Sequence, residues 1–382
     1  MAKKGDTKVI EASTAVALGA RLSEPSVIPM YPITPQTHIV EKLAEYINNG
    51  EMACEMIHAE SEHAAISACL GASVAGARTF TATSSQGLAL MFEVLPIISG
   101  MRLPMVMAVA NRALSSPINI WNDHSDTIAC RDSGWIQLYV ESAQEALDTI
   151  LMAFKISEKG LLPVMVCLDG FTLSHVYEPV SIPSLQQTRR FLPRFKPVYP
   201  TLDPKKPMTF GPVAFPDTYM EFKKAEHEAV LSCMKLVQKT NKEFNSGFRR
   251  SYGDGVLELY RMQDAQYAIL GMGTLCGTAR EVVDELRKSG KKVGLIKLKC
   301  FRPFPAEELK KVATGLKGIA VIDRDISYGY EGVLCTEVKS AVNNPSIKVS
   351  GFIAGLGGRD IKLSHIRHAI EMIGKRDKEW LL

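Results

Sequence analysis

Residues 79–112 read TFTATSSQGLALMFEVLPIISGMRLPMVMAVANR. The first five residues set Thr against Phe and Ala, a β-prone run of a length that suits one strand. Ser84-Ser85-Gln86-Gly87 breaks that pattern with cap and turn residues, and 88–98 continues at helical spacing. An uninterrupted apolar run follows at 105–110 and ends on Asn111-Arg112, as expected of a strand buried on both faces. Outward from this unit the same rhythm recurs. Residues 26–31, 52–58 and 164–169 read as strands, and 11–21, 36–47, 61–76 and 143–158 as helices. Alternation of this kind predicts an α/β fold with a parallel, doubly wound sheet.

Beyond residue 178 the composition shifts. Nine of the 20 prolines fall in the 38 residues 179–216, too many for a central strand or a long helix, so an extended arm is expected. Its aromatics (Phe191, Phe195, Tyr199, Phe210, Phe215, Tyr219) suggest that it lies on a surface. Asp217 is placed to cap a long helix over 218–244. After a polar break at 245–255, strands are expected at 267–271, 293–298, 318–323 and 349–353, with helices at 277–289 and 306–316. Three segments result: a first domain over 1–178, an arm, long helix and linker over 179–255, and a second α/β domain over 256–382.

The 382 residues are 46% hydrophobic and 23% charged with a net charge of +4, too small a basic excess for a nucleic-acid binder of this length. No apolar run nears the roughly 20 residues of a membrane span. The opening Met-Ala-Lys-Lys-Gly-Asp carries no apolar signal core, and a cytoplasmic protein is expected. The eight cysteines are scattered, without a C-x-x-C pair or the close spacing of an iron–sulfur site, and the histidines make no H-x-x-x-H pair. No metal is expected on this chain.

Two glycine motifs have plain readings. Gly271-Met-Gly273-Thr-Leu-Cys-Gly277 has the wrong spacing for a dinucleotide turn, and no acidic residue follows at the end of 293–298. Gly253-Asp254-Gly255 lies in a polar linker, with the next Asn-Asn some ninety residues on, and reads as a turn. The stronger signal is convergence, because ligands of doubly wound sheets bind at the carboxyl ends of the strands. Those ends bear Tyr31-Pro32-Ile33-Thr34-Pro35, Glu60-Ser61-Glu62, Ser84-Ser85-Gln86-Gly87, Asn111-Arg112 with Asn122-Asp123-His124-Ser125-Asp126, and Asp169-Gly170. Singly, each has a structural explanation: Glu62 as a helix-dipole partner, the serines as caps, Arg112 as an ion pair, 122–126 as a solvated loop. Together they point to a site for a small anionic substrate.

In this order the motifs resemble those of 2-oxoacid:ferredoxin oxidoreductases, in particular the α subunits of multi-subunit pyruvate-oxidising (pyruvate synthase) complexes. Met272-Gly273-Thr274, Phe301-Arg302-Pro303-Phe304-Pro305 and Gly355-Leu356-Gly357-Gly358-Arg359-Asp360 extend the resemblance over nearly the whole chain. It implies a pyrimidine-binding thiamine diphosphate domain followed by a transketolase C-terminal-like domain. It also implies a β subunit holding the diphosphate and Mg²⁺, a γ subunit, a ferredoxin-like δ subunit, [4Fe-4S] clusters in the partners, coenzyme A as co-substrate and ferredoxin as electron acceptor. By the same resemblance Glu62, with Glu60 as its rival, would bond the pyrimidine N1′. Thr34, Arg112 and Asn122 would hold the 2-oxoacid, and Pro32, Ile33, Ser85 and Gln86 would line the cofactor. Pyruvate is the first expectation, with 2-oxoisovalerate, 2-oxoglutarate or a non-catalytic assembly role as alternatives. Helix 62–76 is small-sided (Ala64, Ala65, Ser67, Ala68, Gly71, Ala72, Ala75), which suits either an interface or a tight core.

Overall fold

The computed structural model describes residues 6–382, so residues 1–5 of the segment read for a signal lie outside it. The first sheet runs Cys300–Arg302, Ile136–Val140, Val164–Asp169, Val106–Asn111, Phe80–Thr83. A parallel bridge from Thr79 to Val27 carries it on to the parallel pair Val27–Met30 and Glu55–His58. Every residue of Val106–Asn111 and Val164–Asp169 is buried, as helices on both faces require of central parallel strands. On one face, helix Ala12–Ser23 lies against helix Ala143–Gly160. Gly19 permits that approach, since a Cβ there would stand 3.0 Å from Ile150 Cβ and from Leu147 O.

The strands expected at 26–31, 79–83, 105–110 and 164–169 are present within a residue or two. The helix expected at 88–98 is two helices, Ser85–Met91 and Leu95–Gly100. Pro96 is the reason: it has no N–H for the carbonyl a turn earlier, and proline is accepted only in the first turn of a new helix. Strand Ile136–Val140, unread in the sequence, is fully buried but contains Gln137, whose amide Nε2 donates to Thr127 O at 2.8 Å.

The proline-rich segment begins as an edge strand, Tyr177–Ile182, antiparallel to Asp6–Glu11, where proline is tolerated. A short helix, Leu185–Phe191, follows, and Phe191 meets Phe244 and Phe248 edge-on. Tyr199 donates to Ser73 O and so ties the arm down at 2.8 Å. Its far end does not lie flat: Phe215 and Tyr219 are mostly exposed. The long helix is Tyr219–Phe248, and its cap position is Thr218, not Asp217.

The second sheet runs Lys378–Trp380, Lys348–Ile353, Gly318–Asp323, Tyr267–Gly271, Val293–Leu298, Leu257–Tyr260, parallel except for the last strand. The two halves interlock. Cys300–Arg302 leaves the second half to pair with Ile136–Val140, and Phe301 packs edge-on against Tyr139. Beside that crossing, Glu145 bonds Lys297 at 2.8 Å and Lys299 at 2.5 Å, with all three side chains buried.

Candidate functional site

Glu62 opens helix Glu62–Val74. Ser61 is the N-cap, its hydroxyl accepting from Ala64 N at 3.1 Å, which orients the first turn. Glu62 is 7% exposed, yet among the described residues its carboxylate has neither a hydrogen bond nor an ion pair. It lies over Gly87: a Cβ at that glycine would stand 2.6 Å from Glu62 Oε1 and 2.5 Å from Thr83 Oγ1. Thr83 Oγ1 is buried and also without a partner. Glu60, two residues earlier, is exposed.

Asp126 joins the ends of two neighbouring strands. Its Oδ2 accepts from Ser85 N and Arg112 N, both at 3.0 Å. Its Oδ1 accepts from Asn111 Nδ2 at 2.7 Å and from Thr127 N at 2.8 Å. Burial pushes this carboxyl up to about 6, against the pull of Asn111 and the two backbone donors. Ser85 is held at φ +44°, a conformation that costs an L-residue free energy, and its Oγ lies 2.7 Å from Ala113 O. Asp126 thus supports the rim, a role masked in the sequence by its place in a polar run.

Arg112 is 8% exposed. Its Nε donates to Asn119 O at 2.8 Å and Nη1 to Thr34 O at 3.1 Å, so the guanidinium and the Thr34 loop meet as the sequence suggested. Because Nε is engaged, a carboxylate can be read bidentately only from the Nη1/Nη2 end. Gln36 anchors the same loop: its Nε2 donates to Ala82 O at 2.6 Å. The Thr34 side is exposed, as are Pro32 and Gln86, while Ile33 is half-buried. No polar contact joins Pro32, Ile33 or Gln86 to Glu62 among the described residues. Asn122 is fully buried. Thr172 donates to its Oδ1 at 3.0 Å, and its Nδ2 donor is left without a partner.

Behind the rim lies a hub that the sequence reading did not assemble. His124 Nε2 is 2.8 Å from Asp169 Oδ1, while Asp169 Oδ2 accepts from Arg324 Nη1 and from Thr274 N, both at 2.8 Å, and from the Thr274 hydroxyl. Burial would raise the Asp169 carboxyl, but Arg324 and His124 hold it well below the usual carboxylate range. This network also explains Gly271–Gly277: Asp169 fills the space above Gly273 that a phosphate would need. Likewise Asp254 accepts from Val256 N and Leu257 N, making Gly253–Gly255 a turn. Among the described residues the rim therefore offers an unpaired carboxylate at Glu62 and unpaired polar atoms at Thr83, Asn111 and Asn122. That donor and acceptor set fits the aminopyrimidine of thiamine diphosphate.

No group of three or more His, Cys, Asp or Glu able to hold a metal occurs among the described residues. No helix among them is long and apolar enough to cross a membrane.

A rim of this kind on this fold defines an α/β enzyme subunit. The chain belongs to the pyruvate flavodoxin/ferredoxin oxidoreductase family. The family's thiamine diphosphate-binding model matches residues 18–242, and its pyruvate:ferredoxin oxidoreductase core domain II matches residues 265–366. It is 52% identical over 377 residues to pyruvate synthase subunit PorA of Methanocaldococcus jannaschii, covering 98% of this chain and 96% of that one. It is 44% identical to ketoisovalerate oxidoreductase subunit VorA of Pyrococcus horikoshii, covering 97% and 96%. Among solved structures, a 2-oxoglutarate:ferredoxin oxidoreductase from Magnetococcus marinus shares the fold at TM-score 0.72 and 22% identity, covering 96% of this chain and 66% of that one. A split-gene transketolase matches at TM-score 0.53 and 12% identity, covering 95% and 98%. The fold is the expected pair, a thiamine diphosphate-type domain with a transketolase C-terminal-like domain.

Proposed function

We propose that this chain is the α subunit of a multi-subunit pyruvate:ferredoxin oxidoreductase, converting pyruvate and coenzyme A to acetyl-CoA and CO₂ with electrons passed to ferredoxin, reversibly. The observation that carries this reading is the buried, unpaired Glu62 carboxylate on the same rim as Arg112. The relatives named pyruvate synthase subunit PorA support pyruvate as the substrate. The name subunit PorA supports partner subunits, and the diphosphate and Mg²⁺ are assigned in this proposal to a β partner among them. A γ subunit, a ferredoxin-like δ subunit carrying [4Fe-4S] clusters, and a cytoplasmic location complete the proposal.

When bound, thiamine diphosphate supplies a carbanion at its thiazolium C2 and takes up the electron pair released on decarboxylation. Glu62 would hold a proton at the pyrimidine N1′ through a charge-assisted hydrogen bond. The outer edge of Arg112 binds the 2-oxoacid carboxylate. Asn122 Nδ2 and the Thr34 hydroxyl donate to its remaining oxygens. Asp126 keeps the Ser85 and Arg112 backbones in register beneath them.

The VorA relative favours one second reading, the same chemistry on 2-oxoisovalerate. The complex purified anaerobically decides between them through coenzyme A-dependent viologen reduction. Preference for pyruvate over 2-oxoisovalerate and 2-oxoglutarate is expected; preference for either of the others moves the substrate, and no turnover with any of them overturns the enzyme reading.

A further inference from the structure

The run Gly355-Leu356-Gly357-Gly358 follows strand Lys348–Ile353 of the second domain and has no part in the chemistry described so far. It lies against the loop 113–124, which leads from Arg112 to Asn122 and on to helix Ser125–Ala129. Gly358 N donates to Asn122 O at 2.6 Å, Gly357 N to Asp123 Oδ2 at 3.1 Å, and Asn119 Nδ2 to Gly357 O at 3.1 Å. His124 N donates to Arg324 O at 2.8 Å, one residue beyond strand Gly318–Asp323. All of these bonds join the second domain to one loop of the first. The approach requires glycine twice. Gly357 and Gly358 stand at φ +58° and +79°. A Cβ on Gly357 would sit 2.5 Å from Asn119 Nδ2, and one on Gly358 would run into Trp121 Cβ.

Asp126 fixes the backbone of Arg112, but the Arg112 side chain takes its direction from two carbonyls, Thr34 O and Asn119 O. Asn119 faces both ways. Its backbone O accepts from Arg112 Nε at 2.8 Å, its Oδ1 accepts from Trp121 N at 2.7 Å, and its Nδ2 reaches the second domain at Gly357 O. Asn122, whose Nδ2 is unpaired, has its own carbonyl held by Gly358 N. Within the first domain the loop is closed at its base by Ala113 N to Trp121 O at 3.0 Å, while 115–118 are exposed. Exposed loops of this length are mobile unless something outside them takes up their polar groups. Recognition of a carboxylate by a guanidinium depends on direction, and a displacement of about 1 Å is enough to spoil it.

We propose that the Gly355–Gly358 turn is a positioning element for the 2-oxoacid carboxylate, and that Asn119 is the positioning residue through which the second domain sets the direction of the Arg112 guanidinium. The inference deepens the function proposed above and rests on it. The same turn holds Asn122 through its backbone, so the two groups assigned to the substrate carboxylate share one support from outside their own domain.

Two variants of the purified complex test this: Asn119→Ala from the side of the loop, and Gly358→Ala from the side of the second domain, which leaves every residue of the loop in place. In each, kcat/KM for pyruvate is expected to fall at least about tenfold, nearly all of it as a rise in KM, while KM for coenzyme A stays at the wild-type value. Deuterium exchange of the amides of 113–124, followed by mass spectrometry on the intact complex, is expected to be about tenfold faster. Faster exchange with an unaltered pyruvate KM overturns the positioning role, and so does an equal rise in KM for both substrates, which would mean a general loosening. Wild-type exchange in both variants overturns the support itself. Should Gly358→Ala fail to assemble, Asn119→Ala decides alone. If the wild-type complex turns over no 2-oxoacid, the proposed function fails, whereas the rate at which phenylglyoxal modifies Arg112, expected to be several-fold higher in the variants, still decides whether the turn directs the guanidinium.

Discussion

At Glu62 a carboxylate on a residue only 7% exposed has no hydrogen-bond donor from its own chain among the described residues, which leaves it open to a donor on a ligand. Glu62→Gln keeps the shape and loses the charge proposed to hold a proton on the pyrimidine ring. Turnover is expected to fall by about 10²–10⁴-fold in a complex whose elution on gel filtration is unchanged; near-normal turnover would remove Glu62 from the mechanism. Asp126 acts one step further back, through the backbone of Ser85 and Arg112. Asp126→Asn turns an N–H₂ toward donors that now need an acceptor. A drop of about 10² in kcat/KM is expected, with the larger part in KM as Arg112 loses its seat. A fall in melting temperature with unaltered KM would make Asp126 purely structural. Glu62 and Arg112 stood out in the sequence because polar groups converge on the strand ends, and the family resemblance supplied the roles expected of them. Asp126 did not, because Asn122-Asp123-His124-Ser125-Asp126 looks in one dimension like any solvated loop.

Among the elements, the turn opening helix Ser85–Met91 comes close against the start of helix Glu62–Val74. Only a hydrogen at Gly87 leaves room for both Glu62 Oε1 and Thr83 Oγ1. Gly87→Ala should therefore fold, since its backbone needs no positive φ, but push the Glu62 carboxylate aside. Thiamine diphosphate affinity and turnover are expected to fall together by at least about tenfold, measured by cofactor titration of the stripped complex. Affinity equal to wild type would mean that the helices shift apart at little cost. The alternating strands and helices of this region were readable from apolar periodicity. The break at Pro96 was missed because the apolar spacing of 88–98 runs on across it, whereas the backbone cannot.

The whole molecule is held together across the crossing of its two halves. Glu145, from the first half, sits fully buried between Lys297 and Lys299 of the second. Burial would raise the Glu145 carboxyl, but the two ammonium groups bring it down to about 2. A depressed acid stabilises the fold above its ordinary value of 4.5, and that contribution is lost as pH falls from there toward about 2. Glu145→Gln leaves Lys299 buried with only Thr149 for a partner, and a loss of about 3–5 kcal/mol at neutral pH is expected. Melting curves taken from pH 7 down to pH 3 should show the wild type losing stability through the acid window and the variant nearly flat; parallel curves would show that the pair contributes little.

Period, composition and local turn chemistry are properties of neighbouring residues, so the sequence by itself determined the doubly wound class, most of the central strands and helices, the proline-rich segment and the polar strand ends. Pairings over long separations obey no local rule. Cys300–Arg302 joining a strand some 160 residues earlier, Asp169 filling the glycine turn at 273, and Glu145 meeting Lys297 and Lys299 depend on which surfaces the packed helices bring within 3 Å. Only the tertiary structure decided these, because the free energy of a buried charge or an unpaired polar atom is set by its neighbours in space.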